Sequence, residues 1–357
     1  MNKLNPRQSE AVRYADGPML VLAGAGSGKT SVITRKIAYL IEQLGIPGRH
    51  IAAVTFTNKA AREMKERVGR IVDRKLTRGL IVSTFHNLGL NMIREEHTHL
   101  GYHPGFSIFD AEDAKALLQD LMLREASAEA GDELNDIQMT ISSWKNAMRG
   151  PAEALSKAAD EREQRIAIIY KKYNEYLKAY NAVDFDDLIL LPVMLFRSNP
   201  DVLAKWRRKI RYMLVDEYQD TNVCQYELVK QLVAERAAFT VVGDDDQSIY
   251  AWRGARPENL AQLKEDFPSL KIVKLEQNYR STARILRSAN TVIANNPHVF
   301  EKALWSDHTI GEEIRIVRCR NEDAETDRVA TEILDQKLKK GLDFRDFAVL
   351  YRGNHQA

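Results

Sequence analysis

Short apolar runs alternate with amphipathic stretches at both ends of this chain. MLVLAG, Met19 to Gly24, reads as a buried strand. Ser31 to Leu44 follows with helical spacing, placing Val32, Ile33, Ile37, Leu40, Ile41 and Leu44 on one face. IAAVTF and LIVSTF are two more strands, separated by the helical NKAAREMKERVGRIV. This alternation predicts a parallel sheet with crossover helices. From about His86 to Trp206 the pattern changes. AEDAKALLQDLM, ELNDIQMTISSWKNAM, REQRIAIIYKKYNEYLKAY and DFDDLILLPVMLF all read as helix, with no convincing strand among them. That predicts an all-helical insertion into the sheet domain. YMLVDEY, FTVVGD and KIVKLEQ then resume the strands. After Gln277 a further unit is expected: helix STARILRSANTVIANN, strand EIRIVRCR, helix AETDRVATEILDQKLKKG and strand FAVLYRG. The expected division is 1–85 and 207–277 for the first sheet domain, 86–206 for the insertion, and 278–357 for a second domain that looks unfinished.

Composition changes this picture little. The chain has 357 residues, enough for two or three domains with real cores. Its net charge of +2 gives no general argument for nucleic acid, so any such claim needs local features. Cys224 and Cys319 are isolated, without metal spacing or a disulfide framework, which fits a reducing compartment. The polar start MNKLNPRQSEAV lacks the apolar core of a signal peptide, and no run approaches the length of a membrane helix. A cytoplasmic protein with no membrane partner is the expectation.

AGAGSGKT, Ala23 to Thr30, follows a strand and opens a helix, the context a phosphate loop requires. Backbone N–H groups of Gly24, Ala25, Gly26, Ser27 and Gly28 would curl around phosphates. Lys29 would reach the β- and γ-phosphates, and the Thr30 hydroxyl would ligate Mg²⁺. The helix N-terminus adds its positive dipole end. The strict pattern begins with glycine, and here Ala23 holds that place, a mild change at a strand end. YMLVDEY supplies the acids such a loop needs, Asp216 and Glu217, where ligands bind in these sheets. Asp216 would hold Mg²⁺, directly or through water, and Glu217 would orient and activate the attacking water. Standing alone, such a pair more often just ends a strand or caps the next helix; the upstream loop tips the balance.

VVGDDDQSIYAWRGA, Val241 to Ala255, joins acids to aromatics. Gln247 is placed to sense the γ-phosphate, and Tyr250 and Trp252 follow closely enough to pass that signal to a stacked base. Arg253 could meet a phosphate or hold the loop. A lone pair of such aromatics would more often be core.

LNPRQ, AGAGSGKT, TFTNKAAREM, STFH, VDEYQDTN, VVGDDDQSIYAWRGA and LEQNYRS, in this order, resemble the motifs of superfamily 1 DNA helicases of the UvrD/PcrA/Rep group. The resemblance spans essentially the whole chain. It implies a RecA-like P-loop NTPase sheet with a helical insertion and a partial second RecA-like domain. It implies that Gln8 reads the adenine edge, that Tyr279 stacks on the adenine, and that Arg280 reaches the γ-phosphate as an arginine finger does. Phe56, Thr57 and Asn58, then Thr84, Phe85 and His86, would lie along single-stranded DNA with Tyr250, Trp252 and Arg253. It further implies a 3′→5′ DNA helicase and translocase driven by ATP and Mg²⁺. Its partners would be single-stranded and forked duplex DNA, and replisome proteins. Ser31 stands where the family commonly has arginine, which puts one nucleobase contact in doubt. Two other classes stay open: a P-loop enzyme without nucleic acid, and a nucleotide- and strand-binding module without motor activity. Trp144, the acids of DFDDL and the basic WRRKIR are read as structural or solvated.

Overall fold

The computed structural model describes residues 4–124, 133–251, 254–351 and 353, in two compact units, 1–310 and 311–357. The first unit opens with α1 (Pro6–Arg13), β1 (Met19–Ala23), α2 (Lys29–Glu42), β2 (Ile51–Thr55), α3 (Asn58–Gly69), β3 (Ile81–Thr84) and α4 (Phe85–Glu96). An inserted stretch holds β4 (Ser107–Phe109), α5 (Ala111–Arg124), α6 (Glu133–Asn146), α7 (Pro151–Ser156), α8 (Glu161–Ala179), β5 (Ala182–Asp184), α9 (Asp187–Ser198) and α10 (Pro200–Lys209). Then come β6 (Tyr212–Val215), α11 (Val223–Val233), β7 (Phe239–Gly243), α12 (Asn259–Asp266), β8 (Lys271–Leu275) and α13 (Ala283–Ile293). The expected α/β architecture with a parallel sheet is present. Six strands pair in the order β3-β2-β6-β7-β1-β8, all parallel.

The sheet is covered on both faces, so its central strands are apolar throughout. β1, β2, β6 and β7 are buried at every residue. Alternate residues of β1 serve opposite faces. Leu20 and Leu22 pack with Phe85, Met92, Phe196 and Trp206, while Met19 and Val21 pack with Val32, Ile33, Ile37 and Met64. A separate core of α5, α6 and α8 includes Trp144, Ile166, Tyr170 and Tyr173, which confirms Trp144 as core.

Two expectations need correction. The insertion is not wholly helical: β4 and β5 pair in parallel as a two-stranded sheet. Three-residue strands are too short to show a period of two, and DFDDL starts at the last residue of β5. In the second unit α14 (Glu322–Lys340) forms as expected, but EIRIVRCR and the described part of FAVLYRG are not strands. A strand exists only within a hydrogen-bonded ladder, and among the described residues neither segment has one. Ile316 and Leu350 are correspondingly 89% and 92% exposed.

Candidate nucleotide site and aromatic path

In a parallel sheet every strand delivers its following loop to the same edge. Across the order β8-β1-β7-β6-β2-β3, that edge carries Asn278 to Arg280, the glycine loop, the acids from Asp244 to Asp246, Asp216 with Glu217, Phe56 to Asn58, and Phe85 with His86. Motifs scattered along the chain thus become neighbours in one row.

The glycine loop leaves β1 at the buried Ala23 and folds on itself. Ser27 N and Ser27 Oγ both donate to Gly24 O, at 3.2 and 2.7 Å. Gly26 has φ +69°, and a Cβ there would lie 2.6 Å from Asn278 Nδ2. Backbone conformation and space both exclude a side chain. Asn278 Nδ2 donates to Ala25 O (2.6 Å), and Tyr279 N donates to Gly26 O (3.0 Å). The loop ends at Gly28, φ +88°, which starts α2 without a side-chain cap. The neighbouring α3 and α4 are capped by Thr57 and Thr84. The first-turn N–H groups of α2 are therefore suited to an anion.

Lys29, the first residue of α2, donates from Nζ to Glu217 Oε2 (2.8 Å) and Gln247 Oε1 (3.3 Å). Residues that follow three different strands meet at one ammonium. Glu217 has left-handed backbone, φ 50° and ψ 46°, rare outside glycine and typical of functional sites. Gln219, almost fully buried, fixes it: Nε2 donates to Glu217 Oε2 (2.9 Å), while Oε1 accepts from Asp244 N (3.0 Å). Gln219 thereby ties the loop after β6 to the loop after β7. It was not singled out from sequence, although it stands two residues from Glu217.

Asp216 is buried, and its Oδ1 accepts from Glu217 N (3.0 Å). Burial, then the nearby Glu217 charge, pushes its carboxyl up to about 6, with Lys29 opposing. A buried carboxylate short of positive charge is suited to a hard cation, and with the Thr30 hydroxyl the donor set is all oxygen, as Mg²⁺ prefers.

Beside the loop, Gln8 is 5% exposed. Its Nε2 donates to Ser27 O (2.9 Å), and its Oε1 accepts from Asn5 N (3.1 Å) in a capping box. Tyr279, half-exposed, donates its hydroxyl to Gln277 Oε1 and accepts from Asn5 Nδ2, both at 2.8 Å. Arg280 N donates to Asn278 Oδ1 (2.8 Å). Gln8, Tyr279 and Arg280 therefore all border the glycine loop.

The strand-binding candidates separate into groups. Phe56 and Tyr250 face each other with ring centroids 6.1 Å apart and planes 13° apart, a near-parallel aromatic pair. Thr57 Oγ1 caps α3 by accepting from Ala60 N (3.1 Å), and Asn58 Oδ1 accepts from Asn87 Nδ2 (3.1 Å). Thr84 Oγ1 caps α4 through Asn87 N (3.3 Å). His86 packs edge-on against the exposed Phe185 at 5.9 Å, and burial holds its pKa below the ordinary value. Phe85 is 1% exposed in the core beneath the sheet, so its ring offers packing and no stacking face. Trp252 and Arg253 lie outside the described residues.

The glycine loop, paired acids and glutamine on one sheet edge give the chain the architecture of a P-loop protein, with a near-parallel aromatic pair on the same edge. The chain belongs to the UvrD/REP helicase family: the UvrD/REP helicase N-terminal domain matches residues 4–268. The UvrD-like helicase C-terminal domain matches residues 273–357. The chain is 56% identical over 356 residues to the ATP-dependent DNA helicase Rep of Escherichia coli (strain K12), covering 99% of this chain and 53% of that protein. To Rep of Buchnera aphidicola subsp. Acyrthosiphon pisum (strain APS) it is 46% identical over 354 residues, covering 99% and 55%. To PcrA of Staphylococcus aureus (strain Mu50 / ATCC 700699) it is 42% identical over 357 residues, covering 100% and 49%. The chain spans about half the length of these curated relatives.

Proposed function

We propose that this chain binds ATP–Mg²⁺ and single-stranded DNA as the first motor lobe, with the start of the second, of an ATP-driven DNA helicase and translocase. One observation carries the reading: Lys29, Glu217 and Gln247 converge from three strand ends at the mouth of a glycine loop. In this reading the loop and the α2 N-terminus cradle the phosphates, and Lys29 moves onto the β- and γ-phosphates. Thr30 and Asp216 would hold Mg²⁺, which would supply charge neutralisation on the transferred phosphoryl group. Glu217 Oε2, then released from Lys29, accepts a proton from the attacking water. Gln247 faces the γ-phosphate, Arg280 stabilises its developing charge, and Gln8 and Tyr279 hold the base. Phe56 and Tyr250, with Trp252, grip DNA bases by stacking, and hydrolysis changes that grip. The 3′→5′ polarity, forked duplex substrates and replisome partners follow the family resemblance, and a cytoplasmic location follows the isolated cysteines and polar start of the sequence. Among the described residues no helix is long and apolar enough to cross a membrane.

The test is Glu217→Gln in the full-length protein, measured by binding of a fluorescent ATP analogue and by poly-dT-stimulated hydrolysis. Binding should stay within about threefold while turnover falls by about a thousandfold, the scale of about 4 kcal/mol. Loss of binding in step with turnover would show that Glu217 only holds the loop together.

A further inference from the structure

Three consecutive carboxylates, Asp244 to Asp246, invite assignment as a metal site, and Asp245, Asp246 and His298 bring donor atoms within 4.8 Å of one another. The position is already filled by an ammonium. Lys302, whose side chain is 4% exposed, places Nζ 2.7 Å from Asp244 Oδ1, 2.6 Å from Asp245 Oδ1 and 2.7 Å from Asp246 Oδ2. An ammonium has three N–H donors, and each meets one acid. The remaining oxygens are committed too. Asp245 Oδ2 accepts from Val299 N (2.9 Å) and Phe300 N (3.2 Å), and Asp246 Oδ1 meets His298 Nδ1 at 2.9 Å. Asp244 Oδ2 accepts from Gln247 Nε2. That contact sets the amide's orientation, because a carboxylate only accepts and Lys29 only donates. Gln247 must therefore turn Nε2 to Asp244 and Oε1 to Lys29, as it does.

We propose that Lys302 is a positioning residue for nucleotide hydrolysis: it clamps the three acids so that Asp244 aims Gln247 at Lys29 and the γ-phosphate position. This rests on the nucleotide-site reading above. The clamp also gives the segment after α13 a route to the site, through Lys302, Asp244 and Gln247 to Lys29. Burial works against the lysine's charge, yet the three carboxylates hold its pKa well above the ordinary value. Removing the ammonium leaves three carboxylates crowded in one turn, free to splay and carry Gln247 with them.

The experiment compares Lys302→Met and Lys302→Arg in the full-length protein. Lys302→Met should lower kcat for poly-dT-stimulated hydrolysis by about 10- to 100-fold, with KM for ATP and analogue binding within about threefold. Lys302→Arg, keeping the charge, should recover much of the loss. Hydrogen exchange over residues 244–250 without nucleotide should accelerate in Lys302→Met and not across β7. The triple variant Lys302→Met/Asp245→Asn/Asp246→Asn relieves the repulsion and guards against a folding failure. It should stay slow, and wild-type kcat in it would show that charge balance alone matters. An unchanged kcat in Lys302→Met, or equal losses of binding and turnover, overturns the clamp. If instead Lys29→Ala retains turnover, the nucleotide-site reading fails, while the exchange measurement still reports on the clamp itself.

Discussion

Lys145 and Lys29 both sit between side-chain partners at short range, but in different surroundings. Lys145 in the helical insertion is fully buried, 2.7 Å from Asp184 Oδ2 and 2.8 Å from Asp187 Oδ1, with Tyr173 donating to Asp184 at 3.0 Å. Lys29 on the sheet edge touches Glu217 and Gln247 from a side chain 13% exposed, and Glu217 is 35% exposed. Around Lys145 the donors and acceptors are spent on one another. Burial opposes the ammonium, but the two carboxylates outweigh it and hold its pKa well above the ordinary value. Burial, then the Asp184 charge, pushes the Asp187 carboxyl above its ordinary value, so the triad's excess negative charge is relieved there. Such a triad fastens α6 to β5 and α9 and has nothing to offer a ligand. The sheet-edge cluster faces an uncapped helix start, and in the proposed function its contacts are exchanged for phosphate. Short lysine–acid distances alone do not mark a functional site; access and an anion-ready backbone do.

The strongest way to break this comparison is to remove each ammonium and read both stability and turnover. Lys29→Ala should lower DNA-stimulated hydrolysis by about a thousandfold or more, about 4 kcal/mol. Its unfolding free energy should move by less than about 1 kcal/mol, because a part-exposed pair contributes little. Lys145→Ala should do the reverse, costing about 3–5 kcal/mol of stability by stranding two buried carboxylates. Surviving molecules should keep their affinity for an ATP analogue. Urea midpoints and single-turnover hydrolysis decide the matter. Equal stability losses in the two variants would erase the distinction.

Lys36 sharpens the point by lacking a carboxylate. It is buried in α2 and donates to Ala11 O (2.9 Å) and Tyr14 O. Burial, with a smaller contribution from the Lys271 charge, lowers its pKa to about 7 from 10.5. The sign follows from linkage. Between pH 7 and 10.5 the unfolded chain binds the proton that the folded chain has lost, so stability rises with pH across that window. Lys36→Met should remove that slope, read as the difference between variant and parent urea midpoints from pH 7 to 10. A slope equal to the parent's would mean the two carbonyls keep the ammonium charged.

What could be read in advance follows the distance over which each feature is written. The glycine loop, the acids after β6 and the strand–helix alternation are contiguous, so local context is enough to nominate Lys29, Asp216, Glu217 and Gln247 as site candidates. The reading of Asp186 and Asp187 as structural acids also fits, since Asp187 holds Lys145 and Asp186 Oδ1 accepts from Asn146 Nδ2 at 3.0 Å. Lys302 and Lys145 were not legible, because the acids they bind are 39 to 58 positions away. Nothing local distinguishes either from a solvated lysine. Phe85 follows a strand as Phe56 does, yet only packing against Leu88, Met92 and the sheet sends it inward. β4 and β5 exist because they meet each other across the insertion, a pairing that three-residue runs do not announce.

The smallest predicted loss of function is at Phe56, and Phe85 is its control. Phe56 shares a near-parallel arrangement with Tyr250, whereas Phe85 is sealed in the core. Phe56→Ala should weaken binding of an oligo-dT strand by about 1–3 kcal/mol, the worth of one stacked base. Because stacking releases no counterions, the slope of log affinity against log salt should stay as in the parent, whereas loss of a phosphate contact would shrink it. Phe85→Ala should instead cost stability, about 3–5 kcal/mol for an aromatic removed from a packed interior. Fluorescence anisotropy across a salt series, with urea melts of both variants, separates these outcomes. Unchanged oligo-dT affinity in Phe56→Ala, with a stability loss like that of Phe85→Ala, would make the Phe56–Tyr250 pair a piece of core and move the DNA path elsewhere on the sheet edge.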